Sequence, residues 1–242
     1  MSEMNQSNRQ CCDLDIREYG TNKPWMFAEF CNTTTAGFSS DATYAMKKGA
    51  KSIKFDNPLD ATMSITFQVH PFKIYAMLSD GEIETNAIIP VRTDIACATA
   101  GELSVSGAPI SGSVYVYAQD DFGGNEIKGT FSAGKFTAST ASDLVTDTTY
   151  TVAYLESKIS GVKKISFNNS KLPKNFRITQ ETLDQDEDGN LIPVKMTAYK
   201  ASPQRKMDWS WASTGDPAEL TITLDCMEDE EGNVLDMVEI TA

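Results

Sequence analysis

Few residues in this chain of 242 could support catalysis. A serine or cysteine nucleophile that relies on histidine would have to use His70, the one histidine, which follows a strand pattern on its polar register. We interpret His70 as a surface residue or as the entry to the next helix. The sequence has no G-x-G-x-x-G and no G-K-[ST] phosphate loop. We therefore predict no enzyme, no catalytic residue and no cofactor.

The pattern closest to a metal site is Asp184, Asp186, Asp188 and Gly189, which has the D-x-D-x-D-G spacing of a calcium loop. Such a loop needs a bidentate Glu six residues after the Gly, where this chain has Lys195. Because the flanking residues have strand patterns, we interpret the stretch as an acidic hairpin turn. The five cysteines are scattered without a C-x-x-C pair, so we predict reduced thiols and no metal site.

Charge is distributed unevenly along the chain, whose formal net charge is -13. Residues 1–180 hold 19 acidic and 17 basic residues, whereas residues 181–242 hold 15 acidic and 4 basic ones. This acidic quarter is either an ordinary solvated surface or a surface that repels nucleic acid. No apolar run approaches the ~20 residues that a membrane-spanning helix needs, so we predict no membrane segment.

The clearest structural signal is a strand that leads directly into a helix over residues 61–81. Met63, Ile65, Phe67 and Val69 alternate with polar residues, which predicts a strand with one packed face. Helical spacing of apolar residues follows Pro71 and ends before Gly81, which predicts one short amphipathic helix. A half-buried strand needs partner strands, and the remaining chain supplies further strand patterns.

Residues 1–51 have little regular pattern, and we interpret them as an irregular arm. An apolar cluster at 22–30 could anchor this arm on the chain's own core or on a neighbouring subunit, and a polar loop follows at 31–41. A basic patch surrounds a short predicted strand at 52–55. The patch consists of Lys47, Lys48, Lys51 and Lys54.

The middle and final parts of the chain differ in the length of their strand patterns. Short strands separated by Gly, Pro and Asp turns over residues 98–163 predict an inserted sandwich of immunoglobulin-like style. Longer strands return afterwards. They are predicted at 176–183, 192–199, 207–212, 218–226 and 234–240. In the third of these, Trp209 and Trp211 would share one strand face, in the core or at an interface.

Together these patterns predict a mainly β protein, with antiparallel β-sandwich or barrel-forming sheets, one short helix and the inserted small sandwich. We predict residues 1–97 as the first part of the main β domain, 98–163 as the insertion and 164–242 as the second part.

Two stretches resemble tail tube proteins, also called major tail proteins, of tailed bacteriophages. They are YAMKKGAKSIKFDNPLDATMSITFQVHPFKIYAMLSDG at 44–81 and LPKNFRITQETLDQDEDGNLIPVKMTAYKASPQRKMDWSWASTGDPAELTITLDCMED at 172–229. The resemblance implies a virion protein, assembled in the host cytoplasm, that forms stacked rings, with six subunits per ring, as the conduit for DNA ejection. Its implied partners are its own copies and sheath, terminator or baseplate proteins, while DNA passes through the lumen without specific binding.

Two hypotheses and one alternative accompany this resemblance. The acidic C-terminal quarter could line the lumen, and Lys47, Lys48 and Lys51 could meet acids such as those at 228–231 in an adjacent ring. The alternative is a capsid decoration or tail-associated immunoglobulin-like binding module. Self-assembly distinguishes the two classes, because a decoration protein docks on another lattice whereas a tube protein polymerises.

Overall fold

The computed structural model describes residues 5–211 and 213–240, which divide into two compact units. The first unit comprises residues 1–82 and 166–242, and the second comprises residues 83–165. The second unit therefore begins earlier than the sequence boundary at 98. The reason is that the strand Ala87–Ala96 pairs along its whole length with Thr149–Lys158, so it belongs to the inserted sheet.

Strands dominate both units. Before the insertion they are β1 (Gln6–Asn8), β2 (Asp13–Glu18), β3 (Pro24–Ala28), β4 (Cys31–Ser39), β5 (Ala42–Lys47), β6 (Ala50–Asp56) and β7 (Asp60–Phe67). Within it they are β8 (Ala87–Ala96), β9 (Glu102–Ser104), β10 (Tyr115–Ala118), β11 (Glu126–Ile127), β12 (Gly129–Ser132), β13 (Lys135–Ala138) and β14 (Thr149–Lys158). After it they are β15 (Phe176–Asp186), β16 (Leu191–Pro203), β17 (Leu220–Met227) and β18 (Leu235–Glu239).

A nine-stranded antiparallel sheet forms the first unit, in the order β3-β2-β15-β16-β17-β7-β4. β1 pairs beside β15, and β18 pairs beside β16. Although β3 and β4 lie at opposite ends of this order, only Glu29 and Phe30 separate them in the chain. A connection this short spans at most about 11 Å, so the sheet must curl until its two ends meet.

The core of the first unit lies inside this curled sheet. Met63, Ile65 and Phe67 of β7 are fully buried, as their alternation predicts. The same prediction is wrong for Val69, which is 76% exposed because the strand ends at Phe67. The predicted helix is a 3-10 helix at Phe72–Leu78, which buries Ile74 and its last three residues against the same core. A second 3-10 helix, at Ala141–Asp143, lies in the inserted unit.

The interpretation of residues 1–51 as an irregular arm is wrong over residues 5–51, and residues 1–4 lie outside the described residues. β2 lies in the middle of one half of the sheet, between β3 and β15, and its Leu14 and Ile16 are fully buried. Two apolar residues among charged neighbours give a weak pattern, but the cross-strand ladder places both on the core face. The predicted polar loop at 31–41 is largely β4, which is paired with β7.

The strand predicted at 207–212 is also wrong over its described residues, and Ala212 lies outside them. Residues 207–211 are not paired as a strand. Trp209 instead packs its ring on Phe167 at 5.5 Å and on Tyr75 at 6.5 Å between centroids. The aromatic alternation therefore reflects packing of a loop on the surface near the helix.

The inserted unit contains two small antiparallel sheets, ordered β11-β10-β14-β8 and β12-β13-β9. Val116 and Val152 from one sheet share a buried cluster with Leu103 and Phe136 from the other, so the sheets pack face to face. Pro90 lies within β8, which is tolerated because β8 is an edge strand. The prediction of a mainly β, antiparallel fold with an inserted sandwich is confirmed.

Candidate functional site

His70 lies between β7 and the first 3-10 helix, within an aromatic cluster. Its ring packs edge-on against Tyr75 at 5.0 Å and near Phe67 at 6.4 Å between centroids, and its Nε2 lies 3.4 Å from the Tyr75 hydroxyl. Neither neighbour is a carboxylate or a nucleophile. The contacts of His70 therefore connect the strand to the helix by aromatic packing.

The acidic stretch at 184–190 closes the hairpin between β15 and β16. The Asp186 carboxylate accepts hydrogen bonds from the Asn190 backbone N–H at 2.7 Å and from its side-chain amide at 2.9 Å. Gly189 has a φ of +88°, which favours glycine. Lys195 pairs with Glu181 at 2.9 Å. Among the described residues no group of three or more His, Cys, Asp or Glu side chains could hold a metal ion.

The same turn joins β17 to β18, which pair one after the other along β16. The sequence interpretation predicted strands on both sides of these residues but did not recognise the likeness to the first turn. The Asp229 carboxylate accepts hydrogen bonds from the Asn233 backbone N–H at 2.8 Å and from its side-chain amide, and Gly232 has a φ of +85°. The signal was present, because DEDGN at 186–190 and DEEGN at 229–233 match at four of five positions. Hydrogen bonds from Asn190 lower the pKa of Asp186. Desolvation raises the pKa of Asp229, but the hydrogen bonds that its carboxylate accepts within the turn outweigh this effect, so its pKa is lowered as well.

The hairpin β5–β6 forms a separate two-stranded sheet that extends from the first unit's fold. Its two-residue turn is Lys48-Gly49, both at positive φ, +51° and +85°, as a type I′ turn requires. Lys47 and Lys48 therefore lie at the tip. The predicted basic patch is the end of a hairpin, and its Lys54 forms an ion pair with Asp56.

The two faces of this hairpin differ in chemistry. Tyr44 and Lys54 are cross-strand partners on one face, and the Lys51 ammonium lies 3.9 Å from the centre of the Tyr44 ring. Ile53 and Phe55 lie on the other face, and they are 56% and 55% exposed. An isolated two-stranded hairpin is marginally stable in water, and one with an uncovered apolar face requires a partner surface.

Unpaired strand edges form a second set of surfaces. In the described part of the chain, β4 is paired on one side only, with β7, and β18 on one side only, with β16. Met237 and Val238 of β18 are exposed. An edge strand presents free backbone N–H and C=O groups to any incoming strand, and neither strand contains a proline that would block pairing.

The outward face of β2, β15 and β16 carries alternating charges. Asp15 pairs with Arg17 at 2.6 Å, and Glu181 pairs with Lys195. Arg177 lies on the same face and stacks its guanidinium on the Tyr199 ring at 4.8 Å. The acidic excess of the final quarter is therefore partly neutralised on this face, and exposed acids lie in both turns as well as on the later loops and strands.

The inserted unit carries a surface groove of its own, of about 580 Å³. It lies on the outer face of the sheet formed by β8, β14 and β10, and Tyr115, Phe122 and Leu155 line it together with Arg92. The Arg92 guanidinium lies 5.3 Å from the centre of the Phe122 ring.

An exposed amphipathic hairpin and open strand edges on a curled antiparallel sheet define a β protein whose surfaces suit assembly. A family model described as the YomU/Tube protein family matches residues 13–240, so the chain belongs to that family. The resemblance to phage tail tube proteins is thereby confirmed, and the family is one of structural proteins of the virion tail. No curated protein matches the chain. Within the described residues, no helix is long and apolar enough to cross a membrane.

Proposed function

We propose that the protein assembles with its own copies into rings of six that stack into a tail tube, the conduit for DNA ejection. The observation that carries this proposal is the uncovered apolar face of the β5–β6 hairpin. A surface that presents Ile53 and Phe55 to solvent gains free energy when a neighbouring subunit covers it. Sheath, terminator or baseplate proteins of the tail would contact the finished tube.

Within a ring, neighbouring sheets would join edge to edge. β4 and β18 supply free edges on the same sheet, and closing such edges into a continuous barrel removes sites that would otherwise promote uncontrolled aggregation. Each subunit would then donate one edge and accept another. This arrangement requires no conformational change in the buried core.

Between rings, the basic hairpin tip would meet acids of the next subunit. Lys47 and Lys48 at the tip are exposed, and so are Glu230 and Glu231 in the second acidic turn. Exposed ion pairs contribute about 0–1 kcal/mol each and are screened by salt. We therefore expect high salt to weaken stacking, with the apolar face of the hairpin supplying the salt-independent part. Tubes that resist both high salt and loss of the two lysines would contradict this contact.

The exposed acids of the first turn would line the lumen, where carboxylates repel DNA phosphates and allow DNA to slide without specific binding. Glu187 and Asp188 are exposed and lie outside the proposed contact between rings, whereas Asp186 holds its turn together and must stay. Changing Glu187 and Asp188 to Lys should slow DNA ejection without blocking tube assembly. Unchanged ejection kinetics would reject the luminal role.

Electron microscopy of the purified full-length chain at rising concentration tests assembly directly. Stacked rings with a central channel would support the proposal, and counting subunits in end views would test sixfold symmetry. Particles that stay small and dispersed at every concentration would favour the alternative function.

That alternative is a capsid decoration or tail-associated binding module, and one observation favours it. The groove on the inserted unit combines exposed aromatic side chains with the cationic Arg92. Binding sites commonly combine aromatic side chains with a few polar or charged groups in this way. A protein of this class would bind to preformed capsids or tails and remain monomeric or trimeric in their absence. Cosedimentation with purified capsids or tails lacking this chain distinguishes it from a tube subunit.

A further inference from the structure

Three cysteines lie where the two ends of the first unit's sheet meet. Cys11 and Cys12 directly precede β2, and Cys31 is the first residue of β4. All three are free thiols, and Cys11 is exposed. The proposed function assigns no role to any of them.

A β-bulge brings the side chain of Cys31 onto the core side of β4. Cys31 pairs with Phe67 and Thr34 pairs with Ile65, with the register shift lying between residues 31 and 33. Because Phe67 and Ile65 both face the core, Cys31 and Thr34 also face it and are neighbours along one side of the strand.

The thiol of Cys11 reaches the same place from the other end of the sheet. Its Sγ lies 4.0 Å from the Thr34 hydroxyl oxygen. The last pair of the β2–β3 ladder is Leu14 with Ala28, so Cys11 and Cys31 each lie three residues beyond the same end of that ladder.

The electrostatics of Cys31 agree with this proximity. Burial and, to a smaller extent, the neighbouring Cys11, Asp13 and Cys12 together raise its pKa to about 12. Cys31 is thus a poor attacking thiol at neutral pH, and the exposed Cys11 is the thiol that an oxidant would meet first.

We propose that Cys11 and Cys31 form a disulfide when the folded chain meets a small-molecule disulfide oxidant such as oxidised glutathione. The Cys11 thiolate attacks one glutathione sulfur, forming a mixed disulfide and releasing one reduced glutathione. The Cys31 thiolate then attacks the Cys11 sulfur and releases the second. The two thiol protons leave with the two glutathione molecules, so the protein is oxidised by two electrons and glutathione disulfide is reduced.

This bond would link Cys11, just before β2, to Cys31 at the start of β4. It would thus join the two ends of the curled sheet at a second point, besides the short β3–β4 connection. The reducing cytoplasm would keep the thiols free, and oxidising conditions outside the host would allow the bond to form. That timing rests on the proposed function, whereas formation of the bond is a property of the chain that can be tested without any tube.

Oxidised glutathione titration of the full-length native chain tests the proposal, with tryptic mapping under non-reducing conditions. Trypsin leaves Cys11 and Cys12 together in one peptide, residues 10–17, so single Cys11→Ser and Cys12→Ser variants are needed to assign the partner. Cys97 and Cys226 are buried and serve as internal controls that should stay reduced.

We expect wild type and Cys12→Ser to lose two hydrogens per subunit and to yield the 10–17 peptide linked to the peptide that contains Cys31. Their Tm should rise by roughly 5–10 °C on oxidation, and that rise should be absent from Cys11→Ser. Oxidation that stops at glutathionylated Cys11, a bond through Cys12, or bonds between subunits would each overturn the proposal. Far-UV circular dichroism of each variant establishes that it is folded before oxidation.

Discussion

The apolar face of the β5–β6 hairpin offers the sharpest test of assembly, through the double variant Ile53→Ala with Phe55→Ala. Both side chains lie on the uncovered face of a hairpin that contributes no residue to the buried core. Their removal should leave the subunit's free energy of unfolding within about 0.5 kcal/mol of wild type, as for surface substitutions generally. Assembly should weaken strongly, because these are the atoms that a neighbour would cover.

The size of the effect follows from the exposed fraction of each side chain. Complete burial of an Ile or Phe side chain contributes about 1.5–3 kcal/mol, and slightly more than half of each side chain is still exposed, at 56% and 55%. Covering both therefore contributes about 2–3 kcal/mol per contact. Since 1.4 kcal/mol corresponds to a factor of ten, the critical concentration for tube formation should rise roughly 25- to 150-fold.

The critical concentration is measured by pelleting assembled tubes over a dilution series, with electron microscopy of the pellets. The matched control is Ile159→Ala in the inserted unit, because Ile159 is 82% exposed and lies outside the hairpin. This control should change neither assembly nor the Tm. A double variant that assembles at the wild-type critical concentration would refute the reasoning. A double variant whose Tm falls enough to explain its failure to assemble would refute it as well.

Three further predictions concern the stability of the subunit. Phe67→Ala should destabilise the fold by about 3–5 kcal/mol in urea unfolding, because Phe67 is fully buried in the core cluster. Asp186 and Asp229 have lowered pKa values in the fold. Their contribution to stability is therefore present above the ordinary Asp pKa of 3.8 and disappears as the pH falls through the lowered values. The double variant Asp186→Asn with Asp229→Asn should flatten the acid limb of a profile of Tm against pH. Burial is the main cause that raises the pKa of Cys31 from 9.0 to about 12 and that of Cys226 from 9.0 to about 11. The unfolded chain therefore loses these protons first, and stability should fall as the pH rises above 9. Cys226→Ala should reduce this fall in Tm between pH 9 and 11.

The sequence predicted strands well where one face is buried and the other is wet. β7 alternates strictly, as does β17 up to Cys226, and the observed strands match this alternation because the apolar residues of the alternating face enter the core. β4 was missed because CNTTTAGFS is rich in threonine, which favours strands, but has few apolar residues to mark a face. Only its ladder with β7 establishes it as a strand, and a ladder is a long-range contact that local pattern does not contain.

The candidate assembly surface was the least predictable feature for the same reason. Ile53 and Phe55 alternate with Ser52 and Lys54, as in a half-buried strand, and alternation alone does not say whether the apolar face meets the chain's own core or another molecule. The turn was readable in principle, since Lys48-Gly49 permits the two positive φ values of a type I′ hairpin. The start of the inserted unit depends on a long-range contact in the same way, because the sequence of β8 does not show that its partner in the sheet is β14.

The separation between the core and the hairpin has a consequence for how assembly can be regulated. The buried cluster draws on β2, β7, β15 and β17 together with the 3-10 helix, and the β5–β6 hairpin adds nothing to it. A subunit can therefore be fully folded while this surface stays uncovered, so the tube formation that we propose would depend on concentration rather than on folding. The lysines at the hairpin tip raise the solubility of the free subunit, because like charges repel when two tips approach. The same lysines would become favourable contacts only opposite an acidic surface, which restricts the apolar face to a partner of the correct charge.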